Sequence, residues 1–122
     1  MGRRVMAVDD SASIRQVERL VLSGAGYEVV EAVDGRDALG KLASQPPALI
    51  LTDLNMPNLN GIGLIEAVRS NPSFRFTPII MVTTESNEQK KQAAKAAGAT
   101  GWIVKPFRGE QLVAITKKLL GV

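Results

Sequence analysis

The chain has no cysteine, no histidine and few aromatics: one Trp, one Tyr and three Phe in 122 residues. Without Cys there is no disulfide, no thiol nucleophile and no thiolate metal site. Without His there is no Ser-His-Asp catalysis, no ordinary zinc site and no role as a phosphohistidine carrier. A secretory signal and an apolar run of about 18 residues are both missing, so a cytoplasmic protein with no membrane attachment is the expectation.

What is present is an ordinary globular composition, 45% hydrophobic and 22% charged, in a length that suits one domain with a real core. The net charge of +3 conceals an uneven distribution. Residues 1–85 carry eight Lys/Arg against ten Asp/Glu, a balance of −2, whereas residues 86–122 carry seven against two, a balance of +5. No DNA- or RNA-binding motif accompanies the basic segment, so nucleic acid is not expected as a partner. The segment reads either as a solvated face or as a surface for an acidic protein partner.

Short apolar runs alternate with amphipathic stretches throughout. Val5–Val8, Tyr27–Glu31, Ala48–Thr52, Thr77–Thr83 and Gly101–Val104 read as strands. Helices are predicted from Ser11 to about Gly24, after an Asp34 N-cap, from Gly61 to near Asn71-Pro72, over Asn87–Ala97 and from about Gly109 to Leu120. In the first helix Ile14, Val17, Leu20 and Val21 recur at helical spacing, the pattern of a core-facing stripe. Strict alternation of strands and helices argues for an α/β fold with a parallel sheet covered on both faces. No repeat, linker or low-complexity segment interrupts it. Residues 1–122 are therefore expected to form one domain without an attached output domain.

Asp9 and Asp10 directly follow the first apolar run and Asp53 the third; Thr83-Thr84 ends the fourth, and Lys105 follows the fifth. In a parallel sheet these strand ends share one edge, where open α/β sheets bind ligands. Taken singly each has an ordinary reading. Asp9-Asp10-Ser11 suits a helix cap, Lys105 a surface lysine, and Thr83 a β-branched strand residue. Three converging acids are harder to explain, because like charges raise one another's pKa and cost stability unless a cation joins them. Hard carboxylate oxygens without His or Cys suit Mg²⁺. Pro106, directly after Lys105, can hold a cis bond and so fix where the ammonium points.

Asp9-Asp10, the run Thr52-Asp53-Leu54-Asn55-Met56-Pro57-Asn58 with Gly61, Met81-Val82-Thr83-Thr84-Glu85 and Lys105-Pro106-Phe107 together resemble the receiver domains of two-component response regulators. Among those they most resemble the single-domain, CheY-like chemotaxis regulators. The resemblance spans essentially the whole chain, with its anchors in family order. It implies a flavodoxin-like (βα)5 fold, a doubly wound sheet of five parallel strands in the order 2-1-3-4-5. It further implies that Asp53 accepts a phosphoryl group from a sensor histidine kinase. Asp10, Asp53 and the backbone carbonyl of Asn55 would ligate Mg²⁺, with Asp9 acting mainly through water. Lys105 would pair with the acyl phosphate, and Thr83 would be drawn toward it together with the aromatic of the fifth strand, here Trp102.

Asn55 and Glu85 stand where the family tunes self-hydrolysis, and this pair matches rapidly hydrolysing chemotaxis regulators, which implies a signal lasting seconds to minutes. The family's readout surface is the fourth helix, fifth strand and fifth helix. It coincides here with the basic segment, through Lys90, Lys91, Lys95, Trp102, Arg108, Lys117 and Lys118. The implied protein is a monomeric, phosphorylation-switched binding module, not an enzyme beyond its own phosphorylation and dephosphorylation. Its expected partners are the kinase, a downstream protein (the flagellar motor switch is the leading option) and a phosphatase. A phosphorelay or another two-component system outside chemotaxis is the alternative.

Two points qualify the resemblance. Trp102 stands where the family usually has Tyr or Phe, and a buried indole needs a partner for its N–H; a fixed hydrophobic cap is the other reading of this residue. Haloacid-dehalogenase-type enzymes also combine Asp, Mg²⁺, Lys and Thr on a doubly wound sheet. They resemble a D-x-D motif after the first strand, however, and here Asp9-Asp10 are adjacent while Asp53-Leu54-Asn55 lacks the second acid.

Overall fold

Runs of Val, Ile and Leu too short for helices satisfy their backbone groups by pairing with one another, and their side chains then alternate between two faces. In the computed structural model, which describes residues 3–121, five such strands form one parallel sheet: β1 (Arg4–Val8), β2 (Glu28–Ala32), β3 (Leu49–Thr52), β4 (Ile79–Thr83) and β5 (Gly101–Val104). Their order is β2-β1-β3-β4-β5, parallel throughout. The crossovers are the helices α1 (Ala12–Gly24), α2 (Gly35–Leu42), α3 (Gly61–Ser70) and α4 (Glu88–Ala97), and α5 (Gly109–Leu120) closes the chain. The expected doubly wound, flavodoxin-like sheet is what forms. Among the described residues no helix is long and apolar enough to cross a membrane.

Alternation along each strand builds two cores. Met6, Val8, Ile50, Ile79 and Met81 face α2, α3 and α4 through Ala38, Leu42, Leu64, Ile65, Val68 and Ala94. Val5, Leu49, Leu51, Ile80, Val82 and Ile103 face the opposite way, against Leu22 of α1 and Leu112 of α5. Because both faces are covered, β3 and β4 are buried along their whole length.

Element boundaries follow local chemistry. Asp34 caps α2 as expected, accepting from the Asp37 N–H at 2.8 Å, and Ser11, Asn60 and Asn87 cap α1, α3 and α4 in the same way. Strand β4 begins two residues later than expected. Pro78 has no N–H to give the ladder, so it contributes only its carbonyl, which accepts from Ile50 at 2.9 Å. Strand β2 is displaced by one residue, with Tyr27 buried at its entrance and Ala32 completing it. A 3-10 turn over Pro72–Phe74 follows α3 and carries no apolar periodicity that would have announced it.

The apolar stripe of α1 is a correction. Val17 and Leu20 are exposed, whereas Glu18 and Leu22 are the buried residues of the helix. Apolar residues occupy more than one face of α1, and the face that meets the sheet is the 14-18-22 row.

One surface-typical residue holds the α3 end of the molecule together. The Arg69 guanidinium donates to Gly98 O at 2.8 and 3.1 Å, and to the carbonyls of Phe74, Arg75 and Thr77 at 3.3, 3.1 and 2.7 Å. It thereby joins the turn after α3 to the C-terminus of α4. Gly98 ends α4 at φ 118°, and a Cβ there would sit 2.8 Å from Arg69 Nε. Replacing Arg69 by Met should cost about 2–3 kcal/mol. The measurement is a urea midpoint that falls at unchanged slope; an unchanged midpoint would mean that water satisfies those carbonyls equally well.

Candidate functional site

The strand order decides where the acids meet. The chain runs from β1 outward to β2 and returns on the other side of β1 as β3, so the crevice between the ends of β1 and β3 is the topological switch point. Val8 pairs with Thr52, and the next residues on each strand are Asp9 and Asp53. Their backbones stay in the ladder: the Asp53 N–H donates to Val8 O at 3.0 Å and the Asp9 N–H to Ala32 O at 3.1 Å. Asp9 is buried, Asp53 half-buried and Asp10 exposed, and one oxygen from each lies within 4.8 Å of the others. The loop from β3 to α3 passes very close to this point. A Cβ on Gly61 would collide with Asp53 O, and Asn58 adopts φ 69° in the turn.

Lys105 reaches the acids from the end of β5, two strands from Asp53 and three from Asp9. Its Nζ lies 2.7 Å from Asp9 Oδ2 and 3.4 Å from Asp53 Oδ2. Its backbone N–H donates to Thr83 O at 2.8 Å, and the Lys105–Pro106 bond is cis, as expected. Burial pushes the Asp9 carboxyl above its ordinary value, while hydrogen bonds from Lys105 and from the Ser11 N–H act against that rise. Burial works to lower Lys105, but the bond to Asp9 and the charges of Asp9 and Asp53 outweigh it and hold the ammonium above its ordinary value. Neither acid is the helix cap foreseen for one of them: Ser11 is the N-cap of α1, and Asp9 Oδ1 accepts from the Ser11 N–H at 2.9 Å just before the helix begins. The sequence reading missed Arg15, which donates to Asp9 O and pairs with Glu31 at 3.0 Å.

Around this centre the remaining candidates are spread unevenly. Thr83 is fully buried at the end of β4, and its Oγ1 accepts from the Glu85 N–H at 3.2 Å. Glu85 pairs with Lys90 at 3.0 Å across the entry to α4. Asn55 is exposed in the loop after β3. Trp102 packs against the core beside α3 and α4, and its indole N–H is buried without an acceptor among the described residues. A cleft of about 230 Å³ is lined by Lys91, Lys95, Ala99, Thr100, Gly101 and Trp102. Arg108, Lys117 and Lys118 are exposed but lie outside that cleft. Lys117 and Lys118 sit in the last turn of α5, where cations complement the helix dipole.

Residues 5–117 match the family model of the response regulator receiver domain, and the chain belongs to that family. It is 40% identical to the chemotaxis protein CheY1 of Helicobacter pylori over 97% of each chain. The structure of the Vibrio cholerae chemotaxis protein CheY4 is also similar, with a TM-score of 0.93 and 47% identity over 98% of this chain and 99% of that one. The receiver domain of a Pseudomonas aeruginosa sensor histidine kinase is 26% identical with a TM-score of 0.91, covers both chains fully, and holds a magnesium ion in its active-site cleft. Receiver domains are signalling proteins that bind Mg²⁺ at an acidic pocket, and Asp9, Asp10 and Asp53 form such a pocket here.

A fourth acid escaped the sequence reading. Glu18, on the buried row of α1, is 2% exposed, and its Oε1 has no partner among the described residues. Burial, reinforced by the charges of Asp9 and Asp53, raises its carboxyl from an ordinary 4.5 to about 8, against the pull of Lys105 and Arg15. The i, i+4 spacing of Ile14, Glu18 and Leu22 was the available signal. The sign of the linkage follows. Between pH 4.5 and about 8 the folded chain keeps a proton that the unfolded chain has lost, so this group reduces stability as pH rises through that window. Glu18→Gln should therefore be more stable than the wild type, by a margin that widens from pH 5 to pH 8 at no more than about 1.4 kcal/mol per pH unit. Denaturant titrations at several pH values read this directly; a constant margin would assign the effect to packing.

Proposed function

We propose that Asp53 is the phosphoacceptor of a chemotaxis-type response regulator, with a sensor histidine kinase as donor. The observation that carries this reading is the meeting of three carboxylates at the switch point with one ammonium across from them. The donor set fits Mg²⁺: all ligands are hard oxygens, they are close enough to share one ion, and the single ammonium leaves their charge undercompensated. Asp10, Asp53 and the Asn55 carbonyl would hold the ion, with Asp9 acting through water, and when bound it neutralises charge on the transferring phosphoryl oxygens.

The chain's own groups do the rest. A carboxylate oxygen of Asp53 attacks phosphorus in line, the bond from phosphorus to the donor breaks, and the donor leaves with its electron pair. The Leu54 N–H, bonded to Asp53 Oδ1 at 2.8 Å, fixes the carboxylate's rotation for that attack. Lys105 exchanges a carboxylate for a phosphoryl oxygen, and the buried Thr83 hydroxyl supplies a further donor. With acetyl phosphate and Mg²⁺ the protein should become labelled at Asp53, and the label should decay in seconds to minutes, as the Asn55 and Glu85 pair implies. Chelation or Asp53→Asn should abolish labelling. An unlabelled wild type, or an Asp53→Asn variant labelled as well as the wild type, would overturn the assignment.

Phosphorylation adds roughly −1.5 to −2 charges at neutral pH. The readout surface is α4, β5 and α5, centred on the cleft in which Trp102 lies beside Lys91 and Lys95. Its charge selects a downstream protein with an acidic rim, and the flagellar motor switch is the leading candidate because the relatives are chemotaxis proteins. Affinity for that partner should fall as salt rises from about 0.05 to 0.5 M; affinity indifferent to ionic strength would remove the electrostatic basis of this surface.

A further inference from the structure

Asp34 uses its two oxygens for two purposes, and only one of them belongs to the helix it caps. Its Oδ1 accepts from the Asp37 N–H at 2.8 Å, which begins α2. Its Oδ2 accepts from the side-chain amide of Asn58 at 2.7 Å, in the loop from β3 to α3. A carboxylate can only accept, so it is the amide nitrogen that faces it. The Asp37 N–H, with the Asn58 amide second, holds the Asp34 carboxyl below its ordinary value, so the acceptor is an anion at neutral pH. A second tie runs beside the first. The Gly35 N–H donates to Leu59 O at 3.3 Å, and a Cβ on Gly35 would lie 2.6 Å from that oxygen. Asn58 itself takes φ 69°, a left-handed conformation that Asn tolerates better than most residues.

This loop carries Asn55. Its base is closed by the Gly61 N–H on Leu54 O at 2.9 Å, and its start is fixed by the Leu54 N–H on Asp53 Oδ1 at 2.8 Å. Only residues 55–57 lie between those bonds and Asn58. Neither adjoining helix needs the bond from Asn58 to Asp34, because α2 is capped by the other Asp34 oxygen and α3 by the side chain of Asn60. What that bond restrains is the loop. We propose that Asp34 and Asn58 form a latch that holds the loop ready to present the Asn55 carbonyl to a divalent cation. The inference rests on reading Asp9, Asp10 and Asp53 as a Mg²⁺ site. Asp34 stands outside that cluster and acts on it through the loop, as a positioning residue. A loop ordered beforehand need not be ordered when the ion arrives, so the ion binds more tightly. Cutting the latch frees the short stretch around Asn55 and weakens the ion's hold without removing a ligand.

The test is calorimetric titration of Mg²⁺ into the full chain, with urea midpoints in EDTA to separate stability from binding. Two variants cut the latch from opposite ends. Asn58→Gly keeps the left-handed turn and the net charge but removes the amide. Asp34→Ser keeps a capping oxygen for α2 and leaves the loop's sequence untouched. In about 0.15 M salt, which screens the change of charge at position 34, Mg²⁺ affinity should fall about threefold to tenfold in each. Exchanging the pair, Asp34→Asn with Asn58→Asp, reverses donor and acceptor at constant net charge and should restore affinity to within about twofold of the wild type. Either cutting variant binding Mg²⁺ like the wild type, or an exchanged pair as weak as Asn58→Gly, overturns the latch and leaves the metal site standing, whatever happens to the urea midpoint. A wild type that binds no Mg²⁺ overturns both.

Discussion

Lys105 Nζ lies 2.7 Å from Asp9 and 3.4 Å from Asp53, with a tenth of its side chain exposed, and the whole carboxyl edge is arranged around that cation. The order β2-β1-β3 makes Asp9 and Asp53 neighbours whether or not their charges agree. Asp9 is almost fully buried, where an unpaired carboxylate would be costly. The ammonium makes the arrangement tolerable by sharing itself between two acids, and Asp10 is left without a share. A site in this condition carries an excess of negative charge inside a preformed crevice. That is what a small hard cation requires, and it is why the acid cluster and the lysine have to be read together.

The same lysine joins the crevice to the surface. Its N–H is bonded to Thr83 O, the Thr83 hydroxyl receives the Glu85 N–H, and Glu85 pairs with Lys90 at the start of α4. Three residues before Lys105, Trp102 turns its indole into the core beside α3 and α4, with an N–H that no acceptor among the described residues meets. A buried donor without an acceptor forfeits about 1–3 kcal/mol, so any rotation that finds an acceptor recovers that energy. The contiguous bonds run from the acids to Lys90 at the start of α4, while the indole at the cleft stands apart from that chain.

Much of this was legible in the residues because the informative ones stand next to unambiguous signals. Asp9, Asp53, Thr83 and Lys105 each end or follow a run of β-branched and aliphatic residues, and a parallel sheet gives all such ends one address. What remained hidden depends on tertiary facing. Helix α1 offers Ile14, Val17, Leu20 and Val21 as an apolar set, yet the sheet takes the row containing Glu18 and leaves Val17 and Leu20 in solvent. Nothing local distinguishes those rows once apolar side chains occupy both. Arg69 escaped for a related reason. Its partners are four backbone carbonyls from two stretches of chain, and carbonyls carry no sequence signature.

Arg69 and Glu18 show two ways to keep a charge inside a small domain. The guanidinium meets several fixed carbonyl dipoles, so its state is settled locally and does not depend on what happens at the acid edge. The Glu18 carboxyl is held differently: it is 2% exposed on the row of α1 that also buries Leu22, and its Oε1 has no partner among the described residues. A buried group satisfied by its neighbours stabilises one structure, whereas a buried group left without a partner is kept at a cost.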